Sequence, residues 1–227
     1  MSRILTFTRG PEDWRPHLAD PNRHWKTGYS ARTLAHCWEA ADGFPPEVAN
    51  VANRAAEPLL AGLTPLVAIP EFKVPLPGGR RASQNDLFVL ARSDLGPVSI
   101  MVEGKVDEPF GPTVDEWRSD ASPGKEKRLA FLVETLGLRG RLRDRTRYPF
   151  LHRAVSAILT GEQFHAVAAI MLIHSFSRER TGWWDYGDFL EMCGVEARPD
   201  EMQRMGTATS VPLFSAWISG DCGFLER

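Results

Sequence analysis

The chain has 227 residues, is 43% hydrophobic and 25% charged, and carries a formal net charge of -2 with a pI near 6.3. It is long enough for one sizeable core, and its charge balance gives no bulk drive toward nucleic acid or an anionic membrane. No run approaches the ~18 consecutive apolar residues of a membrane span, and MSRILTFTRG has no apolar leader core, so a cytoplasmic protein with no membrane partner is expected. Cys37, Cys193 and Cys222 are odd in number, widely spaced and without a CxxC, which argues against a disulfide framework or a cysteine zinc site. GxSxG, GxGxxG, a full P-loop and HExxH are all absent.

In chain order, residues 11–29, with Pro11, Trp14, Pro16, Pro21, Trp25 and Tyr29, read as an irregular arm that lays aromatics on the core. Ser30 caps a helix through Ala41, whose Leu34, Cys37, Trp38 and Ala41 share one side. Pro45-Pro46 opens a second helix with Val48, Val51, Ala52 and Ala55 as its core stripe. Residues 64–76, TPLVAIPEFKVPL, form a Pro-interrupted strand, which argues for an edge or bulged position. Pro77-Gly78-Gly79 then turns the chain toward Arg80-Arg81.

Residues 85–106 read as a hairpin, in which apolar runs Leu87–Ala91 and Val98–Val102 flank the polar turn Ser93-Asp94-Leu95-Gly96. With that turn, Arg92 faces Pro97 and, counting outward, Asp86 faces Glu103. Lys105 shares the Glu103 face, displaced by roughly 6.6 Å. Phe88, Leu90 and Met101 are expected beside these charges, with Leu87, Val89, Ile100 and Val102 on the other face. Both faces are apolar, as in a sheet covered by helices on each side. Opposed carboxylates there repel, and a divalent cation between Asp86 and Glu103 removes the repulsion with the hard oxygen donors that Mg2+ takes.

Asp107 to Pro112 ends the strand, and Glu108 and Glu116 are read as surface groups. A helix from about Gly124 to Leu136 carries Leu129, Leu132, Val133 and Leu136 on one face. Next comes a basic run with Arg139, Arg141, Arg143, Arg145 and Arg147, a candidate nucleic-acid contact because guanidinium forks bind phosphate. A helix connection ion-paired to the acidic remainder is the equal alternative. Phe150, Leu151, Ala154, Val155 and Ile158 mark a further helix with Tyr148, His152 and Arg153 at its start or other side. Ala166–Ile173 suits a central strand, with His174 at its end read first as a hydrogen-bonded core histidine. Gly182-Trp183-Trp184 opens a last helix, its aromatics read as packing before base stacking.

Asp86 followed by Glu103-Gly104-Lys105 resembles the PD-(D/E)xK signature of the restriction-endonuclease-like nuclease superfamily, with Asn85 where the signature has Pro. SQNDLFVL, VEGKVDEPFGP, HRAVSAIL and MLIHSF also resemble a family of uncharacterised bacterial proteins, which supplies no activity. The superfamily resemblance covers roughly residues 46–176 and implies an α/β fold, a mixed β-sheet flanked by helices. Around that core, an N-terminal arm and helix (1–45) and a helical C-terminal extension (177–227) complete one domain. It further implies that Asp86, Glu103 and the Gly104 carbonyl hold Mg2+ (or Mn2+), that Lys105 assists an attacking water, and that the substrate is DNA or RNA. A Glu of the first core helix often joins such sites, and Glu57 is the candidate, although its helical phase favours a solvated role. The alternatives are a non-catalytic binding or regulatory module of the same fold, or a scaffold whose Asp86, Glu103 and Lys105 form a structural ion network.

Overall fold

The computed structural model describes residues 8–120 and 122–227, so the stretch MSRILTFTRG, read as lacking an apolar leader core, lies mostly outside the described residues. Two helices near the N-terminus, α2 (Ser30–Glu39) and α3 (Pro46–Arg54), follow a short α1 (Pro21–His24). Strands β1 (Thr64–Val74), β2 (Ser83–Ser93) and β3 (Gly96–Lys105) form an antiparallel meander. Helices α4 (Val114–Arg118), α5 (Pro123–Thr135) and α6 (Tyr148–Gln163) lead to β4 (Ala168–Ser175), and α7 (Trp183–Met192) to β5 (Gln203–Met205) and β6 (Leu213–Ser219). The sheet order is β1-β2-β3-β4-β6-β5, with β3, β4 and β6 mutually parallel and the other pairs antiparallel. This is a mixed six-stranded sheet flanked by helices.

The apolar periodicities decide the layers. Phe150, Leu151, Ala154, Val155 and Ile158 of α6 are all fully buried, and Pro149 sits in the first turn, where its missing N–H costs nothing. They pack with Leu132 of α5 and Phe189 of α7 on Phe88, Met101, Met171 and Trp217 of the sheet. The opposite face, with Leu87, Val89, Ile100, Val102 and Leu172, receives Leu34 and Trp38 of α2 and Val48 and Val51 of α3. Every residue of β4 is buried, as expected for a strand covered on both faces. Burial of each large apolar side chain contributes about 1.5–3 kcal/mol. No helix among the described residues is long and apolar enough to cross a membrane.

The hairpin has the expected register: Arg92 faces Pro97 and Leu87 faces Val102. Its turn is tighter, because Ser93 pairs with Gly96 and leaves Asp94-Leu95 as the loop. β1 is an edge strand, as its prolines require. The arm buries Trp14 and Trp25, whose indole N–H groups donate to Glu39 (2.7 Å) and Glu12 (3.0 Å), whereas Tyr29 stays exposed.

The C-terminal segment departs from the helical extension expected of it. It supplies α7 but also β5 and β6, and β6 pairs with β4, so the sheet runs on to Ser219. The reason lies in the run Leu213–Ile218, a short apolar stretch that strand pairing can bury on both faces. Its one polar residue, Ser215, donates to the Met171 carbonyl (3.0 Å) and meets the Tyr186 hydroxyl (2.9 Å), so it is buried at little cost.

Candidate active site

Strand register builds a row of three carboxylates. β1 pairs Pro70 with Leu87 and Phe72 with Asn85, which sets Glu71 opposite Asp86; β2 and β3 pair Leu87 with Val102, which sets Asp86 beside Glu103. The row lies on the sheet face that carries Phe88 and Met101, under α6. Glu71 has φ 52°, a left-handed conformation that a non-glycine residue adopts at a cost of order 1–3 kcal/mol. The neighbouring strand holds it there, since the Gln84 amide donates to Glu71 Oε2. The Gly104 N–H donates to Asp86 Oδ2 at 2.9 Å, so the main chain of the Glu-Gly-Lys tripeptide lies against the Asp86 carboxylate.

Two cations answer the row. Lys105 Nζ lies 3.4 Å from Glu103 Oε1, and the Arg153 guanidinium of α6 pairs with Glu103 Oε2. Lys105 is fixed further by donating to the Pro109 carbonyl (3.4 Å) and by the Phe110 ring, 4.6 Å from centroid to ammonium. Glu103 and Lys105 are only 4% and 5% exposed. Three carboxylates against two cations leave one negative charge uncompensated when all ionise.

The carboxyls respond accordingly. Burial, then the charge of Glu103, pushes Asp86 well above the usual carboxylate range. Burial and Glu103 push Glu71 up to about 7, against a lowering hydrogen bond from Gln84. Nearby, burial and then Arg153 and Arg128 drive His152 well below its ordinary value, so its ring is neutral; Nδ1 meets Ser83 Oγ at 2.7 Å.

These groups line a cleft of about 950 Å³. One wall comes from the N-terminal arm between Leu18 and Ala31; the other comes from residues 108–111, Trp117 of α4, and Tyr148 and His152 of α6. Arg23, Lys26 and Arg81 stand exposed among the lining residues. The Arg128 guanidinium donates to carbonyls of Leu76, Pro77, Gly79 and Arg81, which fixes the loop behind Arg81.

The sequence-predicted residues divide clearly. Asp86, Glu103, Gly104 and Lys105 come together. The arginine run does not line the cleft; it ties the loop before α6 to α7. Arg139 pairs with Glu134 (2.8 Å), Arg143 with Glu191 (2.8 Å), Arg145 with Asp188 (2.7 Å) and Arg147 with Asp185 (3.0 Å), while Arg141 donates to the Gly137 carbonyl. Glu57 lies outside the cleft, accepts from the Leu59 N–H and pairs with Arg204 at 3.5 Å. Glu116 completes a capping box with Thr113. Trp183 packs edge-on against Trp217, whereas Trp184 is 86% exposed.

Glu71 and Arg153 are the members of the charged row that the sequence reading left without roles. Glu71 sits in a Pro-interrupted strand whose register against β2 cannot be counted across the loop between them. Arg153 had a usable signal: it lies three residues after Phe150 and four before Ala157, both fully buried, so it is a cation on an apolar stripe.

A second cluster lies on the opposite sheet face. Cys37, Glu47 and His174 present ligand-type atoms within 4.8 Å of one another. The Trp38 indole N–H donates to His174 Nδ1 (3.1 Å), which assigns the ring hydrogen to Nε2, where it is donated to Glu47 Oε1 (2.9 Å). A metal at Nε2 would need that hydrogen removed while Nδ1 still accepts from Trp38, the reverse of the usual arrangement for a ligating histidine. Burial, followed by the Glu47 charge, raises the Cys37 thiol far above its ordinary value. This cluster is a hydrogen-bonded core relay, in line with the core-histidine reading of His174.

Among proteins of known function and among solved structures, none matches this chain. One family model matches nearly its whole length, so both the sheet and the cleft fall inside the matched region. The chain belongs to the family described as Domain of unknown function (DUF6946), whose model matches residues 7–222.

Proposed function

We propose that the cleft is a Mg2+-dependent site that hydrolyses phosphodiester bonds in nucleic acid, on the PD-(D/E)xK pattern of Asp86 and Glu103-Gly104-Lys105. The observation that carries this reading is the row of Glu71, Asp86 and Glu103, one positive charge short of balance, in a cleft whose mouth bears exposed cations. The residues fit the ion. They offer hard oxygen donors, and burial followed by the charge of Glu103 disfavours the ionised forms of Asp86 and Glu71, a penalty that a bound cation would relieve. Asp86, Glu103 and the main chain of Gly104 would hold Mg2+, with Mn2+ as a substitute of the same donor preference. When bound, the ion polarises a phosphodiester oxygen and acidifies a water.

The protein's own groups do the rest. Lys105, anchored by Pro109 and Phe110, keeps its ammonium at the carboxylate row, where it orients the attacking water and balances developing charge. Arg153 adds a second fixed cation and, being planar and always charged, suits a phosphate oxygen. Glu71, raised to about 7 by burial and by Glu103, is a carboxyl beside Asp86 that can take up or give up a proton at the row before the ion binds.

The test is Mg2+-dependent hydrolysis of end-labelled DNA and RNA, single-stranded and duplex, by wild type, Asp86→Asn and Lys105→Met. The reading expects cleavage that falls about 10²–10³-fold in each variant. A second reading, a non-catalytic binding or regulatory module, is favoured by one feature: both oxygens of Glu103 already meet cations. Absence of cleavage on all four substrates, with no metal bound, would select it.

A further inference from the structure

We infer that the cleft takes an unpaired strand, either an end or an extruded stretch, and that the phosphates of that strand run along Arg23, Lys26 and Arg81. This rests on the phosphodiesterase reading of the cleft and names its substrate class. Phosphate binding needs cations that are not already engaged. Among the described residues, the side chains of Arg23, Lys26 and Arg81 form no ion pair, and all three are exposed at the cleft. The arginine run at 139–147 looks more basic in the sequence, yet four of its five guanidinium groups are held by carboxylates.

The depth of Glu103 favours one strand over two. A volume near 950 Å³ lies at the top of the range that encloses a single small ligand. Glu103, at the floor, is 4% exposed, so a phosphodiester must enter the cleft to reach it. A duplex holds its two backbones apart on stacked pairs and presents them to the mouth, where reaching Glu103 requires one backbone to leave the pair. A single strand or extruded nucleotide has no such pair to leave. Tyr29 adds the second element of a single-strand groove: it is 43% exposed at the same mouth, with Lys26 Nζ 5.5 Å from its ring centroid, and offers a ring to a base.

The experiment is fluorescence anisotropy of an end-labelled oligothymidine and of a duplex of equal length, titrated with the full chain in EDTA over a series of salt concentrations. The inference expects the single strand to bind at least about tenfold more tightly. In the triple variant Arg23→Gln/Lys26→Gln/Arg81→Gln, the slope of log K against log salt should become shallower by about 2, from ~0.7 per phosphate neutralised. Tyr29→Ala should weaken single-strand binding at every salt with the slope unchanged, and Arg143→Gln/Arg145→Gln should leave both unchanged. Equal or tighter duplex binding, a triple variant that keeps the wild-type slope, or no oligonucleotide binding overturns it. Mg2+ titration of the same protein after removal of EDTA separates the two claims. Metal binding without strand preference removes this inference alone, whereas strand binding without metal removes the hydrolytic reading and leaves a single-strand binding cleft.

Discussion

Replacing Glu71 by Gln removes from the row a carboxylate that is penalised first by burial and then by the charge of Glu103. Gln keeps the size and removes one carboxylate from beside Asp86. The Glu71 carboxyl moves from an ordinary 4.5 to about 7 on folding, so the folded state binds the proton more tightly than the unfolded chain. Stability is then retained at low pH and lost as pH rises through the window between those two values. At about 1.36 kcal/mol per unit, the loss between about pH 5 and about pH 8 comes to roughly 2–3 kcal/mol. Urea denaturation across that range should show wild type weakening and Glu71→Gln weakening less, so that the variant is the more stable protein at about pH 8 by a similar amount. By thermal denaturation the gain is roughly 5–10 °C for a chain of this size. A variant less stable than wild type at about pH 8, or one whose pH slope matches wild type, would refute the view that an ionised Glu71 is costly where it lies, buried beside Glu103.

Other outcomes follow from the same geometry. Arg153→Met leaves Glu103 with Lys105 as its one cation among three carboxylates, and should cost about 3–5 kcal/mol at neutral pH by urea denaturation, less in acid where the row protonates. Gly104→Ala would press a methyl to 3.2 Å from Leu34 Cβ and 3.4 Å from the Ser30 carbonyl, and should cost about 1–3 kcal/mol through a shift of α2. For the Cys37, Glu47 and His174 cluster, Glu47→Gln should cost about 1–3 kcal/mol, and EDTA should leave the wild-type Tm unchanged; a Tm that drops in EDTA and recovers with Zn2+ would make the cluster a metal site.

The hairpin was legible because a two-stranded register can be counted through a short turn, and period-2 alternation fixes which residues share a face. That arithmetic brought Asp86, Glu103 and Lys105 together. It stopped at β1, since the link from Val74 to Ser83 and the irregular backbone at Glu71 hide the partner of Asp86. The arginine run misled because composition reports charge and not its partners: Asp185, Asp188 and Glu191 of α7, which neutralise it, lie some forty residues further along the chain. The strand β6 was missed because a short, mostly apolar run without alternation, LFSAWIS, suits helix and buried strand alike. The basic mouth was invisible for another reason, as Arg23 and Arg81 meet only through tertiary packing of the arm.

The most direct measurement is isothermal titration of Mg2+ and Mn2+ into wild type and Asp86→Asn at about pH 7.5, repeated in buffers of different ionisation enthalpy. The account predicts binding to wild type with proton release from the carboxylate row, and its loss in Asp86→Asn. Wild type that takes up neither ion at millimolar concentration would contradict it, and would leave Glu103, Lys105 and Arg153 as a self-neutralised ion network in a binding cleft.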